Sequence, residues 1–199
     1  MRSRYRSLPT VNLAEATTFV NPPIPTLTLD SPACVFMTDF LSVHPVVVNC
    51  KTSVGEALSL MKRSYVRSLL VTDTDGSGFN GIITATDINS GKVLAYMASN
   101  EIKDRNEVFV EHVMIDKEHI HGLDYERVAA STIGDILETI KHLSEQHVIV
   151  VDKSLSSFSV RGMFSTTNIA KALHIKFDVE PQARTFFELE QVILHHHMA

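Results

Sequence analysis

The chain has 199 residues, 44% hydrophobic and 21% charged, and its 18 Lys and Arg against 23 Asp and Glu give a formal charge of −5. That composition excludes wholesale disorder, the acidity argues against a protein held to nucleic acid by bulk charge, and no run of roughly 18 apolar residues offers a membrane span. Two cysteines, Cys34 and Cys50, are too few for a disulfide framework, and Arg2, Arg4 and Arg6 are not followed by an apolar stretch of signal-peptide length, so a cytoplasmic protein with reduced thiols is expected.

In chain order, Asn21-Pro22-Pro23-Ile24-Pro25 fits neither a regular helix nor a central strand and reads as an extended arm. After an extended lead-in over 36–48, apolar residues at 54, 57, 58 and 61 follow the spacing of one helix face. Ser53 with Glu56 forms a capping-box pattern at its start. A buried strand is expected over 68–72, then dense turn chemistry in Asp73-Thr74-Asp75-Gly76-Ser77-Gly78. A second strand enters at Gly81 and a second helix starts near Thr86.

The pattern then recurs. Residues 53–62 lie over 132–141 at a constant offset of 79, which also carries Leu69-Leu70-Val71 onto Val148-Ile149-Val150. Gly81-Ile82-Ile83-Thr84-Ala85-Thr86-Asp87-Ile88 lies over Gly162-Met163-Phe164-Ser165-Thr166-Thr167-Asn168-Ile169 at offset 81, the two extra residues falling in a loop. In the second copy the helix face is 133, 136, 137 and 140, its cap is Thr132 with Asp135, and the first strand is 147–151. A unit of about 60 residues buries too little surface to stand comfortably alone, so the two copies should form one α/β body related by a pseudo-twofold axis. After Pro181, Ala183, Phe186, Phe187, Leu189, Val192 and Ile193 lie mostly on one helical face, which needs a partner surface.

Two tandem copies of helix, strand, Asp-turn, Gly-h-h-[Thr/Ser]-x-x-[Asp/Asn] and helix resemble a pair of CBS domains, the cystathionine-β-synthase domain family, which together form a Bateman module. The resemblance rests on Ser53-Val54-x-Glu56-Ala57-Leu58-x-x-Met61, Val66-Arg67-Ser68-Leu69-Leu70-Val71 and Gly81-Ile82-Ile83-Thr84-Ala85-Thr86-Asp87, and covers about 36–98 and 109–175. On this reading residues 1–33 are the arm, 34–98 and 109–176 the repeats, 99–108 a linker, and 177–199 a C-terminal helix and tail. The fold class is α/β (α+β), with two helix–strand–strand–helix repeats in one module.

The resemblance implies a non-catalytic regulatory module whose cleft binds AMP, ADP, ATP or S-adenosylmethionine and signals to a separate partner protein, with no obligatory cofactor. It places Thr84 on phosphate and Asp87 on the ribose hydroxyls, and brings Pro45, Val46 and Val47 to the adenine. Arg67 faces phosphate, with a solvated surface arginine as the alternative. In the second repeat the matching positions are Ser165, Asn168 and, opposite Ser68, His147, with Gln146 opposite Arg67. Asp87 at the start of a helix equally suits a simple cap. If the ribose role holds, Asn168 loses the charge assistance that Asp87 has, a difference on the order of 1 kcal/mol. The long lead-in 116–131, with His119, His121 and Tyr125, is a further departure in the second repeat.

Family resemblance also implies a homodimer, with the C-terminal helix or the arm in the contact. Neither His119-x-His121 nor His195-His196-His197 has a third ligand at a recognised spacing, so no metal site is expected. No nucleotide-loop, dinucleotide or nucleophile-elbow motif nominates a catalyst. The competing reading is a dimeric interaction scaffold with a degenerate, empty cleft.

Overall fold

The structure is a computed structural model that describes residues 6–14, 18, 20, 27–143, 146–154 and 158–173. The C-terminal helix expected after Pro181, the histidine triplet and the Asn21–Pro25 stretch lie outside the described residues.

Strands β1 (Thr38–Asp39) and β2 (Val47–Asn49) precede helix α1 (Val54–Arg63), β3 (Ser68–Thr72), β4 (Phe79–Thr84), and the short α2 (Ala85–Asn89) and α3 (Gly91–Ser99). The second half runs β5 (Ile115–Asp116), β6 (Gly122–Asp124), α4 (Tyr125–Ala129), α5 (Ile133–Leu143), β7 (His147–Asp152), β8 (Ser159–Ser165) and α6 (Thr166–Leu173). Two four-stranded sheets result, ordered β2-β3-β4-β5 and β1-β8-β7-β6. In each, the sheet's inner hairpin is antiparallel and the strand before the long helix pairs parallel to it, Val47 opposite Leu70 and Gly122 opposite Ile149.

The apolar helix faces do what their spacing requires. Val54, Ala57 and Met61 of α1 are buried and Leu58 packs against the same cluster, which contains Leu69, Val71, Ile83, Ile88 and Val93. Ile133, Ile136, Leu137 and Ile140 of α5 are buried with Val148, Val150, Phe164 and Ile169. Both caps form: Ser53 Oγ accepts from the Glu56 N–H at 3.3 Å while Glu56 Oε2 accepts from the Ser53 N–H, and Thr132 and Asp135 make the same reciprocal pair. A smaller cluster of Leu70, Ile82 and Ile149, with Phe40, Ile115 and Met163 around it, joins the two sheets.

The lead-in segments cross over between the halves. β1 of the first half pairs with β8 of the second, and β5 of the second pairs with β4 of the first. Ala33 and Met37 belong to the second core, while Val108, Val110 and Val113 complete the first. The Ile133 and Gly134 N–H groups at the start of α5 donate to the carbonyls of Ser31 and Leu29, and the Val54 N–H of α1 donates to Val108. Residues 29–33, read from sequence as the end of an arm, are therefore hydrogen-bonded to the second half. The inner strands begin at Phe79 and Ser159 rather than at Gly81 and Gly162, and the exchange explains why a glycine sits inside each. A Cβ on Gly81 would run into the Ile115 carbonyl and one on Gly162 into the Thr38 carbonyl, so the crossing strand lies directly on the glycine backbone.

The exchanged β1 is held by a partly buried ion cluster. Arg161 Nε and Nη2 donate to the two Asp39 carboxylate oxygens at 2.8 and 3.0 Å, Nη1 donates to Asp152 Oδ2 at 3.1 Å, and the guanidinium lies 4.3 Å from the Tyr125 ring centroid. This fork geometry suits arginine specifically. The Arg161 hydrogen bond holds the Asp39 carboxyl below the usual carboxylate range. Asp152 is lowered as well, chiefly by Ser154 and further by Arg161. The two described cysteines are free thiols in different cores, Cys50 in the first and Cys34 against the second.

Candidate ligand cleft

A cleft of about 380 Å³ opens between the two repeats, a size suited to a small organic ligand. From the first repeat its wall takes Pro45 and Val46 just ahead of β2, Arg67 and Ser68 at the start of β3, and Thr84 at the end of β4. From the second it takes Gln146 and His147 at the start of β7, then Ser165, Asn168 and Lys171 at the β8–α6 junction. The symmetry is close: the Ala85 N–H donates to the Arg67 carbonyl at 2.8 Å, and the Thr166 N–H to the Gln146 carbonyl at 3.1 Å. Each strand-to-helix junction is thereby pinned to the residue that begins the neighbouring strand.

Two sequence-derived candidates are absent from this wall. Val47 is 47% exposed and borders an open groove beside α1, on the other side of β2. Strand alternation puts it opposite in direction to Val46. Asp87, only 6% exposed, has both carboxylate oxygens engaged within the protein. Oδ2 accepts from the Thr84 N–H at 3.0 Å and the Thr84 hydroxyl at 2.6 Å, Oδ1 accepts from Lys92 Nζ at 2.8 Å, and the Asp87 N–H donates back to Thr84 Oγ1 at 3.1 Å. This is a capping box of the short helix α2. The Thr84 hydroxyl donates inward through it, although the residue itself reaches the cleft. The second helix expected near Thr86 is also broken at Ser90, which caps α3, so α2 is a single short turn with little dipole. Asn168, the partner of Asp87 at offset 81, is exposed on the cleft wall instead.

Electrostatically the wall is one-sided. Arg67 and Lys171 contribute fixed positive charge, His44 and His147 contribute imidazoles, and among the described residues no carboxylate lines the cleft. Burial pushes the His147 imidazole down from 6.5 to about 4; the nearby Asp87 charge opposes this and Arg67 reinforces it. His147 is thus neutral near pH 7, able to donate from one ring nitrogen and accept at the other. A cationic wall on a protein of net charge −5 selects for an anion.

Sequence reasoning missed Lys171, His44 and Tyr65. Lys171 lies one turn after Asn168, so the i, i+3 neighbour of that position was the available signal. His44 directly precedes Pro45, whereas nothing in the local pattern pointed to Tyr65. His119, weighed as a metal ligand, instead pairs through Nδ1 with Asp116 Oδ1 at 2.7 Å. Among the described residues no cluster of His, Cys, Asp and Glu could hold a metal, and no helix is long and apolar enough to cross a membrane.

Comparison with known proteins agrees with this architecture. The CBS domain family model matches residues 36–91. No curated protein matches the sequence. Among solved structures, an uncharacterized conserved protein from Pyrococcus horikoshii superposes with a TM-score of 0.53 at 19% identity, over 77% of this chain and 100% of that one. CBSX2, a CBS-pair protein of Arabidopsis thaliana solved in complex with AMP, gives a TM-score of 0.51 at 19% identity, over 71% of this chain and 95% of its own. With strand exchange, duplicated helix–strand–strand–helix units and a cleft between them, the chain has the fold of a CBS-domain pair, and its residues 36–91 match the CBS domain family model.

Proposed function

We propose that the protein is a regulatory, non-catalytic module that binds an adenosine phosphate (AMP, ADP or ATP) in the cleft between its repeats and passes occupancy to a separate protein. The observation that carries this reading is the cleft wall, in which each repeat supplies one fixed cation, Arg67 and Lys171, and neither supplies a carboxylate among the described residues. The AMP complex of the similarly folded CBSX2 supports the choice of ligand. The same wall disfavours S-adenosylmethionine, whose sulfonium would face like charge. Leu70 and Met163 belong both to the cleft wall and to the cluster joining the two sheets, so a ligand that touches both repeats bears directly on their packing. A homodimer is part of the same reading, and sedimentation of the full chain at micromolar concentration tests it separately.

Calorimetry with AMP, ADP, ATP and S-adenosylmethionine tests the reading. Arg67→Ala and Lys171→Ala should each weaken AMP about tenfold, the scale of one charge-assisted hydrogen bond. In thermal unfolding, AMP at 100 times its dissociation constant should stabilise the parent by about 2.7 kcal/mol. A parent that binds none of the four, or that prefers S-adenosylmethionine, overturns it.

A further inference from the structure

Helix α1 ends in a Schellman motif: the Val66 N–H donates to the Met61 carbonyl at 3.0 Å and the Tyr65 N–H to the Lys62 carbonyl at 3.3 Å. In this motif the residue after the cap is left-handed, a conformation that favours glycine. Here that residue is Tyr65, with φ of 55°, and its side chain is 97% exposed. An aromatic ring so placed strains the backbone and buries almost nothing, so folding gains nothing from it. Glu101 is the other non-glycine residue with positive φ among those described, at 56° after α3. Glu101 is an ordinary solvated polar residue, whereas Tyr65 stands on the wall of the ligand cleft beside Val43, Pro45 and Val46.

We infer that Tyr65 is a base-binding residue of the cleft, whose ring stacks on the planar base of the bound nucleotide. This rests on the nucleotide reading above and adds the residue that recognises the base. Of the wall's other rings, Phe40 is packed into the cluster that joins the sheets and His44 and His147 are imidazoles, while Val43, Pro45 and Val46 give aliphatic contacts. Tyr65, by contrast, is a solvent-exposed ring that can close over a base, and stacking of this kind tolerates different bases because each has a π face. Covering the ring on binding also removes its apolar surface from water, a gain available only in the complex.

The experiment compares AMP with ribose 5-phosphate, which keeps the sugar and phosphate but lacks the base, on the full chain by calorimetry. Tyr65→Gly relieves the left-handed strain, so its melting temperature should equal or exceed that of the parent. It should bind AMP about tenfold more weakly and ribose 5-phosphate as the parent does. Tyr65→Phe should keep parental AMP affinity, since the ring rather than the hydroxyl is used. Glu101→Gly, which relieves the same kind of strain away from the cleft, should leave both ligands unchanged. If the parent binds AMP and Tyr65→Gly binds it equally well, or loses ribose 5-phosphate to the same extent, the stacking role is wrong while the nucleotide reading stands. If the parent binds neither probe, both fall.

Discussion

Asp87→Ala separates a structural carboxylate from a ligand-binding one without any ligand present. The side chain is 6% exposed, so water cannot readily replace it, and its two oxygens accept three hydrogen bonds, from the Thr84 N–H, the Thr84 hydroxyl and Lys92 Nζ. Thr84, the N-cap, keeps its bond from the residue 87 N–H, but losing the reciprocal half of the box costs about 1 kcal/mol, the scale of one cap interaction. A hydrogen bond to a charged group adds about 1.5–3 kcal/mol. Lys92, with 28% of its side chain exposed, recovers part of that from water. The combined expectation is a destabilisation of about 2–4 kcal/mol, a large share of the 5–15 kcal/mol typical of a domain. Asp87→Asn keeps an acceptor for the cap and loses only the charge, so it should fall between the parent and the alanine variant. Asn168→Ala, at the equivalent but exposed position, should stay within about 0.5 kcal/mol of the parent. Urea unfolding of the apo protein reads all three. If Asp87→Ala unfolds within 0.5 kcal/mol of the parent, roughly the spread of neutral surface substitutions, the capping assignment is wrong.

His147 makes stability depend on pH in a defined window. Its folded-state value of about 4 lies below the 6.5 of the unfolded chain, so the unfolded state takes up the proton first. The stability tied to this group is therefore complete above about pH 6.5 and is lost as pH falls toward about 4, by at most about 3 kcal/mol. His147→Asn should flatten the pH profile of the urea midpoint across that window, and an unchanged slope refutes the assignment. Arg161→Met leaves the partly buried Asp39 and Asp152 carboxylates without their shared partner and should destabilise by about 1–3 kcal/mol, between the exposed and the buried case. Because Asp39 lies on the exchanged strand, hydrogen exchange should rise first at β1 and its partners in β8; uniform loss of protection would refute a local role.

What the sequence disclosed, and what it hid, follows from the range of the interactions involved. The α1 and α5 faces and both capping boxes depend on residues three or four apart, and the β3 boundaries depend on a short apolar run, so each leaves a local pattern. Strand exchange leaves none: Thr38 pairs with Met163, and Ile115 pairs with Ile82, across separations that no periodicity records. Its trace is Gly81 and Gly162, which the motif already contained and whose reason appears only once the crossing strand lies on them. At the cleft, residues at strand starts and junctions were legible because the duplication marks them twice. Tyr65 was not, because its significance lies in a backbone dihedral and an exposure that its neighbours in sequence do not signal. Asp87 was the opposite case, since the Thr-x-x-Asp pattern serves a capping box and a ribose contact equally, and only the positions of Lys92 and the Thr84 hydroxyl distinguish them.

That distinction reverses the order of the two repeats expected from residue type. Asp87 and Asn168 are equivalent at offset 81, and a free carboxylate would hold a ribose hydroxyl more tightly than an amide does. Here the carboxylate is not free. Its oxygens already accept three hydrogen bonds and the residue is only 6% exposed, so a sugar hydroxyl must displace packed neighbours to reach the acceptor site left on Oδ1, with little net gain. Asn168 is exposed on the wall, with Ser165 before it and Lys171 one turn later, and needs to break no such contact. Asn168→Ala should therefore weaken AMP several-fold with almost no change in stability, whereas Asp87→Asn should lower stability and leave AMP affinity within about twofold once the folded fraction is accounted for, given 1.4 kcal/mol per factor of ten. Calorimetry on both variants, well below their melting temperatures, decides between exposure and charge. The opposite order, with Asp87→Asn abolishing AMP binding and Asn168→Ala neutral, would mean that Asp87 leaves its cap to reach the ligand.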